Sequence, residues 1–334
     1  MHNYSASQLK NIFEDFNNRK VLVVGDVMLD AYWWGHVNRL SPEAPVPIVS
    51  VERKEYRLGG AANVALNVKE LGAEAYLLSV IGDDYEGQQF SELIEDSGLV
   101  SNYIIKSNYR PTTVKTRVIG NQHQLLRVDS EQTSDLDSQD KKELIKQFEH
   151  LLPNVDAIIF EDYDKGILSK DIIKEIIKKA TQVGVPVMVD PKKKNFSAYK
   201  GSALFKPNLK ELQEGLKLDL GKVVDTEQME KAALQLLEKN VLKTALITMS
   251  DKGVYVSNGK EHYHIGAHLR SIYDVSGAGD TVISVAALMA ICTDDIRLIA
   301  EVSNIAGGLV CEKVGVVPVD KDQLLNESIR ILST

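Results

Sequence analysis

The densest chemistry in the sequence is Asp274-Val-Ser-Gly-Ala-Gly-Asp280, which runs into the apolar helical stretch 281–290. Gly277 and Gly279 allow a tight turn. Successive N–H groups of Gly277, Ala278 and Gly279 can then point at one spot, and the dipole of the following helix adds positive character. That is an anion cradle. Asp280 falls in the first turn, beside whatever anion is bound, where a carboxylate facing a phosphate is repelled unless a proton lies between them. A substrate hydroxyl hydrogen-bonded to Asp280 and aimed at phosphorus resolves the conflict. The plainer alternative is a glycine-rich turn with Asp as a favourable first-turn residue.

Three weaker signals accompany it. Gly59-Gly60-Ala-Ala-Asn63 opens a helical stretch. Its small residues permit close approach of a ligand, and Asn63 offers both a donor and an acceptor to vicinal hydroxyls. Helix packing with Asn as a cap explains it equally well. Asn208, Leu209, Lys210 and Glu211 follow a strand, and Glu211 could hold a magnesium ion directly or through water; a solvated helix start is the bland reading. Lys192, directly after Asp190-Pro191, could reach a phosphate, although the run 192–194 reads first as a solvated charge cluster. Gly253–Glu261 misses the P-loop spacing. No His or Cys cluster has metal-ligand spacing, and no strand runs into GxGxxG.

The elements that must position these residues alternate. Apolar, β-branched runs at 21–24, 76–81, 157–160, 185–189, 203–205 and 245–248 read as buried strands. Helical stretches at 63–71, 170–180 and 228–237 lie between them. This predicts an α/β fold with a mainly parallel sheet and helices on both faces. Ligands of such sheets sit beyond the strands' carboxyl ends, where Asp26, Asp162, Asp190 and Asn208 fall. Residues 31–58, with Trp33, Trp34 and three prolines, and residues 112–129 break the alternation. In the second segment Val114, Thr116 and Val118 share one face and Lys115 and Arg117 the other. Both segments are expected to form a small β lid. Residues 129–143 read as a solvated acidic link, and 254–265 as a hairpin turning at Asn258-Gly259. Leu9, Ile12, Phe13 and Phe16 mark an amphipathic first helix, with Ser5 and Gln8 at capping spacing.

Composition narrows the partners. The 334 residues carry 39 Lys+Arg against 47 Asp+Glu, a net charge of −8, so generic nucleic-acid binding is excluded and any phosphate must meet a local positive field. Cys292 and Cys311 make no disulfide framework and indicate a reducing compartment. With no signal pattern and no apolar run of roughly 18 residues, a soluble cytoplasmic protein without a membrane partner is expected.

Together these pieces resemble the ribokinase-like (PfkB) carbohydrate kinases over nearly the whole chain. Gly59-Gly60, Asn63, Gly72 and Gly82 match the spacing of that family's first signature, Asp274–Asp280 its second, and Asn208–Glu211 its NxxE element. Val285 departs from the second signature, which prefers Ala or Gly there. Gly25–Asp30, Ser41–Pro47, Asp162-Tyr-Asp-Lys-Gly166, Asp190-Pro-Lys192 and Tyr273–Thr281 are further similar to the kinase half of the bifunctional heptose 7-phosphate kinase/heptose 1-phosphate adenylyltransferases.

The resemblance implies one ribokinase-like kinase domain over 1–334, with no adenylyltransferase domain. It implies ATP-dependent phosphorylation of the 1-hydroxyl of D-glycero-D-manno-heptose 7-phosphate, serving ADP-heptose and lipopolysaccharide core synthesis. Asp280 would be the base and Gly277–Gly279 the anion hole. Asn208–Glu211, Thr248, Gly253 and Asn304 would bind ATP, with magnesium at Glu211 and a monovalent cation such as K+ as a further requirement. Asp26, Asp30, Gly59, Gly60, Asn63 and Asp162 would hold the sugar, and Arg39, Lys115, Arg117 and Lys192 its phosphate. The lid would pair two subunits, and a separate adenylyltransferase would take the product. A kinase of another sugar, or a non-catalytic sensing relative, stays open at this stage.

Overall fold

The computed structural model describes residues 4–220, 225–268 and 270–333. The first half runs α1 (Ala6–Asp15), β1 (Lys20–Gly25), β2 (Val27–Leu40), β3 (Pro47–Gly60), α2 (Ala61–Glu70), β4 (Glu74–Gly82), α3 (Tyr85–Asp96), β5 (Ile104–Ser107), β6 (Val114–Gly120) and β7 (His123–Ser130). Then come α4 (Ser138–Leu151), β8 (Ala157–Glu161), α5 (Lys170–Val183), β9 (Val187–Asp190), β10 (Leu204–Phe205), α6 (Leu209–Leu216) and α7 (Thr226–Asn240). The last third holds β11 (Thr244–Thr248), β12 (Val254–Ser257), β13 (His262–Ile265), α8 (Ala278–Ala290), α9 (Ile296–Val310) and α10 (Lys321–Leu332).

Nine strands form the large sheet in the order β13-β12-β11-β10-β9-β8-β1-β4-β5. It is parallel from β11 to β5, and the expected hairpin β12–β13 adds an antiparallel edge. The strands are apolar on both sides because both faces are covered. In β1, Val21 and Val23 pack toward α1, α2, α8 and α9, whereas Leu22 and Val24 pack toward α4 to α7. Ser5 caps α1 by accepting from the Gln8 amide at 3.1 Å, as the spacing predicts.

The second sheet has the order β3-β2-β6-β7 and leaves the main sheet at Asp26, the single residue between β1 and β2. It begins at Val27 rather than at residue 31, because the base of β2 (Leu29, Ala31) belongs to the core. The expected strand over 112–129 is a hairpin, broken where Asn121 and Gln122 take φ of 51° and 69°. The 129–143 link is overturned in its second half. Asp137 caps α4 through the amides of Gln139 and Asp140, and Asp140 is buried against the Ser107 hydroxyl. The acids there mark a helix start.

Candidate active site

Gly277 caps α8 at φ 80°, a conformation that favours glycine, and a Cβ there would lie 3.0 Å from Asn63 Nδ2. Asp274 clamps the turn: its two oxygens accept from the amides of Ser276 and Gly315, each at 2.9 Å. The first-turn amides of α8 precede the i→i−4 ladder, and that of Ala278 makes only a long 3.3 Å bond to Val275 O.

Asp280 is 5% exposed and held from two sides. Asn63 Nδ2 donates to Oδ2 at 2.8 Å and the Tyr163 hydroxyl to Oδ1 at 2.9 Å. Burial pushes its carboxyl up to about 6, while these two donors oppose the rise. The Tyr163 ring has the Lys192 ammonium 5.0 Å and the Lys115 ammonium 5.1 Å from its centroid.

A cavity of about 690 Å3 opens over this turn. It brings together Gly277, Ala278, Gly279 and Asp280 with Lys192, Asn208, Glu211, Thr248, Gly253 and Asn304, residues that lie far apart in the sequence. Asn208 and Glu211 form a capping box on α6, with Asn208 accepting from the Glu211 amide and Glu211 Oε2 from the Asn208 amide, both at 2.9 Å. Glu211 Oε1 accepts from Lys192 Nζ at 2.8 Å. Burial works against the Lys192 charge, but the Asp190 and Glu211 carboxylates hold it well above the usual lysine range. Within the NxxE element only the two ends face the cavity. Leu209 packs against the core and Lys210 is exposed beside Glu214, so neither side chain lines the cavity.

The other expected ligands have other partners. Both oxygens of Asp26 accept main-chain N–H groups, from Tyr163 (2.8 Å), Lys165 (3.0 Å) and Ile167 (3.1 Å), so Asp26 shapes that loop. Burial and the neighbouring Asp162 charge push Asp26 up to about 6. Asp162 is likewise turned inward, accepting from the Tyr199 hydroxyl at 2.6 Å, the Asp164 amide at 2.8 Å and Asn195 at 3.3 Å, and is removed from the sugar set. Asn63 is fully buried, with its amide committed to Asp280.

Asp30 pairs with Arg117 at 2.5 Å and approaches Gly59, where a Cβ would come within 2.4 Å of Oδ2. Gly60 caps α2, and a Cβ on it would lie 2.4 Å from Asp26 O; both glycines serve close packing. Lys115 and Arg117 share the polar face of β6, as the alternation predicts, and Tyr32 beside them lies with its ring centroid 5.1 Å from Arg117 and 5.2 Å from Arg57. Arg39 is exposed, nine residues beyond Asp30 along β2, about 30 Å at strand rise. It is therefore separated from the phosphate set within one chain.

Sequence reasoning missed two residues. Tyr163 stands two residues past the end of β8 in the Asp162–Gly166 motif. Lys206 lies just before Pro207-Asn208, pairs with Asp190 at 2.8 Å and reaches within 3.6 Å of where a Gly279 Cβ would be. A lysine at a strand's carboxyl end was the available signal. For a magnesium ion, Glu211 has each oxygen already engaged once. Each oxygen keeps a further lone pair and the residue lines the cavity, which fits a contact through water.

A glycine turn at a helix start, a carboxylate beside it and a cavity at the carboxyl ends of a parallel sheet are parts that phosphoryl transfer uses. The chain belongs to the pfkB family of carbohydrate kinases, which it matches over residues 18–322. It is 40% identical over 316 residues to the bifunctional protein HldE of Haemophilus influenzae, covering 93% of this chain and 64% of that protein. With HldE of Coxiella burnetii it shares 38% over 310 residues, 92% of this chain and 63% of the relative. The chain thus spans just under two thirds of the curated relatives it matches.

Among solved structures, phosphofructokinase-2 from Escherichia coli in complex with potassium superposes with a TM-score of 0.79 at 16% identity, covering 95% of this chain and 99% of that one. Ribokinase from Thermotoga maritima gives 0.71 at 18%, covering 93% and 99%. These likenesses establish the ribokinase-like fold. Among the described residues no helix is long and apolar enough to cross a membrane.

Proposed function

We propose that the chain transfers the γ-phosphoryl group of ATP to the anomeric 1-hydroxyl of D-glycero-D-manno-heptose 7-phosphate, giving the 1,7-bisphosphate. The observation that carries the reading is Asp280, held by two donors at the edge of a glycine turn whose amides face the same cavity. Asp280 orients the acceptor hydroxyl. The new O–P bond forms as the bond to the ADP oxygen breaks, and the hydroxyl proton passes to Asp280 late, because the transition state is loose. The amides of Gly277–Gly279, with Lys206 and Lys192, stabilise charge on the transferring group. Magnesium, held through water by Glu211, would neutralise charge on the ATP phosphates.

The acceptor's own phosphate is assigned to Lys115 and Arg117 on the polar face of the small sheet. That sheet acts as the lid that excludes water, the competing acceptor. Its β7 strand is exposed throughout, with Leu125, Leu126 and Val128 uncovered, which supports pairing of two lids in a homodimer. A potassium requirement, a cytoplasmic location, a place in ADP-heptose and lipopolysaccharide core synthesis, and hand-over to a separate adenylyltransferase belong to the same reading. ADP release measured with heptose 7-phosphate, ribose, fructose and fructose 6-phosphate tests it. Heptose 7-phosphate should exceed the others in kcat/KM by about a hundredfold or more. Preference for another sugar would leave a kinase of different specificity.

A further inference from the structure

Glu161 ends β8 fully buried, and neither of its carboxylate oxygens has a hydrogen-bond partner. Buried polar groups are almost always paired, so the lapse calls for a cause. Its neighbours are acids: Glu161, Asp190 and Asp280 each offer an oxygen within 4.8 Å of the others. The cations acting on Glu161 are Lys192 and Lys206. Lys192 is engaged with Glu211 and Lys206 with Asp190 Oδ2.

Donors decide which acid holds a proton. Asp280 receives two, from Asn63 and Tyr163, and Asp190 receives the Lys206 ammonium. Glu161 receives none. Carboxylates this close do not all ionise, and the proton goes where nothing stabilises the anion. Asp190 is the register partner of Glu161 on the adjacent parallel strand, and its Oδ1 is itself a buried acceptor without a partner. A single O–H from Glu161 to that oxygen gives Asp190 Oδ1 its missing donor and one Glu161 oxygen its missing partner.

We infer that Glu161 is a positioning residue that carries a proton, donates it to Asp190 Oδ1, and so fixes the Asp190–Lys206 pair against the glycine turn. Burial, reinforced by the Asp190 and Asp280 charges, also pushes the Glu161 carboxyl well above the ordinary glutamate range. The catalytic consequence rests on the kinase reading, because Lys206 meets the transferring phosphoryl group there; the proton itself does not.

The test uses two variants and two readouts. Glu161→Ala should lower kcat at least tenfold, because Lys206 loses its fixed partner. Glu161→Gln, whose amide N–H replaces the acid's O–H, should restore most of that loss. An infrared difference spectrum of wild type against Glu161→Gln should contain the C=O stretch of a protonated carboxylic acid. A carboxylate signature in its place, or a Glu161→Gln enzyme as impaired as Glu161→Ala, would overturn the inference by making Glu161 an anion. If the protein phosphorylates none of the sugars offered, the kinase assignment falls while the spectrum still decides the proton. The spectrum also decides it if Glu161→Ala fails to fold.

Discussion

The two sides of Asp280 are built from similar residues and use them differently. On the cavity side, Asn208, Glu211, Lys192 and Lys206 line open space beside the glycine turn, even where they pair, as Lys192 does with Glu211 and Lys206 with Asp190. On the side of the small sheet, the polar groups satisfy one another away from that cavity. Asp26 holds three amides, Asp162 holds a tyrosine and an asparagine, Asn63 holds Asp280, and Arg117 holds Asp30. Asp26 and Asp190 occupy the same kind of address, the carboxyl end of a parallel strand. One shapes the backbone and the other faces the ligand cavity. Residue type at a strand end marks where a ligand meets the sheet, but hydrogen-bond accounting decides which side chains remain for it.

The sharpest way to break this contrast is a pair of carboxylate substitutions. Asp280→Asn keeps the volume but removes the proton acceptor and turns an NH2 toward one of its two donors, so turnover should fall by about 10²–10⁴-fold with ATP binding nearly intact. Steady-state kinetics and a nucleotide titration check both halves. Retention of more than a tenth of turnover would take Asp280 out of the mechanism. Asp26→Ala should act on the fold, stranding three buried amides at a cost of about 3 kcal/mol in a urea titration. If stability is unchanged while KM for the sugar rises, Asp26 is a ligand and the two sides are alike after all.

Much of the fold was legible because strand burial and helix period are local signals. Every apolar run expected to be a strand is one, since the sheet is covered on both faces. The start of the small sheet was misplaced because Leu29 and Ala31 serve the core within a strand that later leaves it. At the site, Asp274–Asp280 and Asn208–Glu211 were legible because a turn and a capping box are written in contiguous residues. The two aspartates that serve the chain, Asp26 and Asp162, were not. Their partners are the main chain and the distant Tyr199 and Asn195, and no spacing in sequence records such pairings. Tyr163 and Lys206 escaped for the converse reason: each is one ordinary residue whose role comes from a contact across the sheet.

A smaller effect sharpens the acceptor side. Arg117→Ala should raise KM for a sugar phosphate about tenfold, the worth of one charge-assisted hydrogen bond, and change KM for the dephosphorylated sugar far less. Because Arg117 also pairs with Asp30, the two roles separate only in that comparison. Equal rises for both sugars would mean that Arg117 merely holds Asp30, and the acceptor's phosphate would then belong to Lys115 or Lys192.

The smallest predicted effect concerns the hydroxyl that joins the two sides. Asp280 accepts a proton only when ionised, and burial places its carboxyl at about 6, so turnover should decline as pH falls through that value. The Tyr163 hydroxyl donates to the ionised form and lowers the pKa. Tyr163→Phe removes that donor, the Asp280 pKa rises, and the acidic limb of the kcat profile should move toward higher pH by up to about one unit. Above the limb, turnover should change only a few-fold, since Asn63 still orients the carboxylate. A limb that stays in place would mean that the hydroxyl does not act on the ionised Asp280, and that Tyr163 serves the site only as the ring between Lys115 and Lys192.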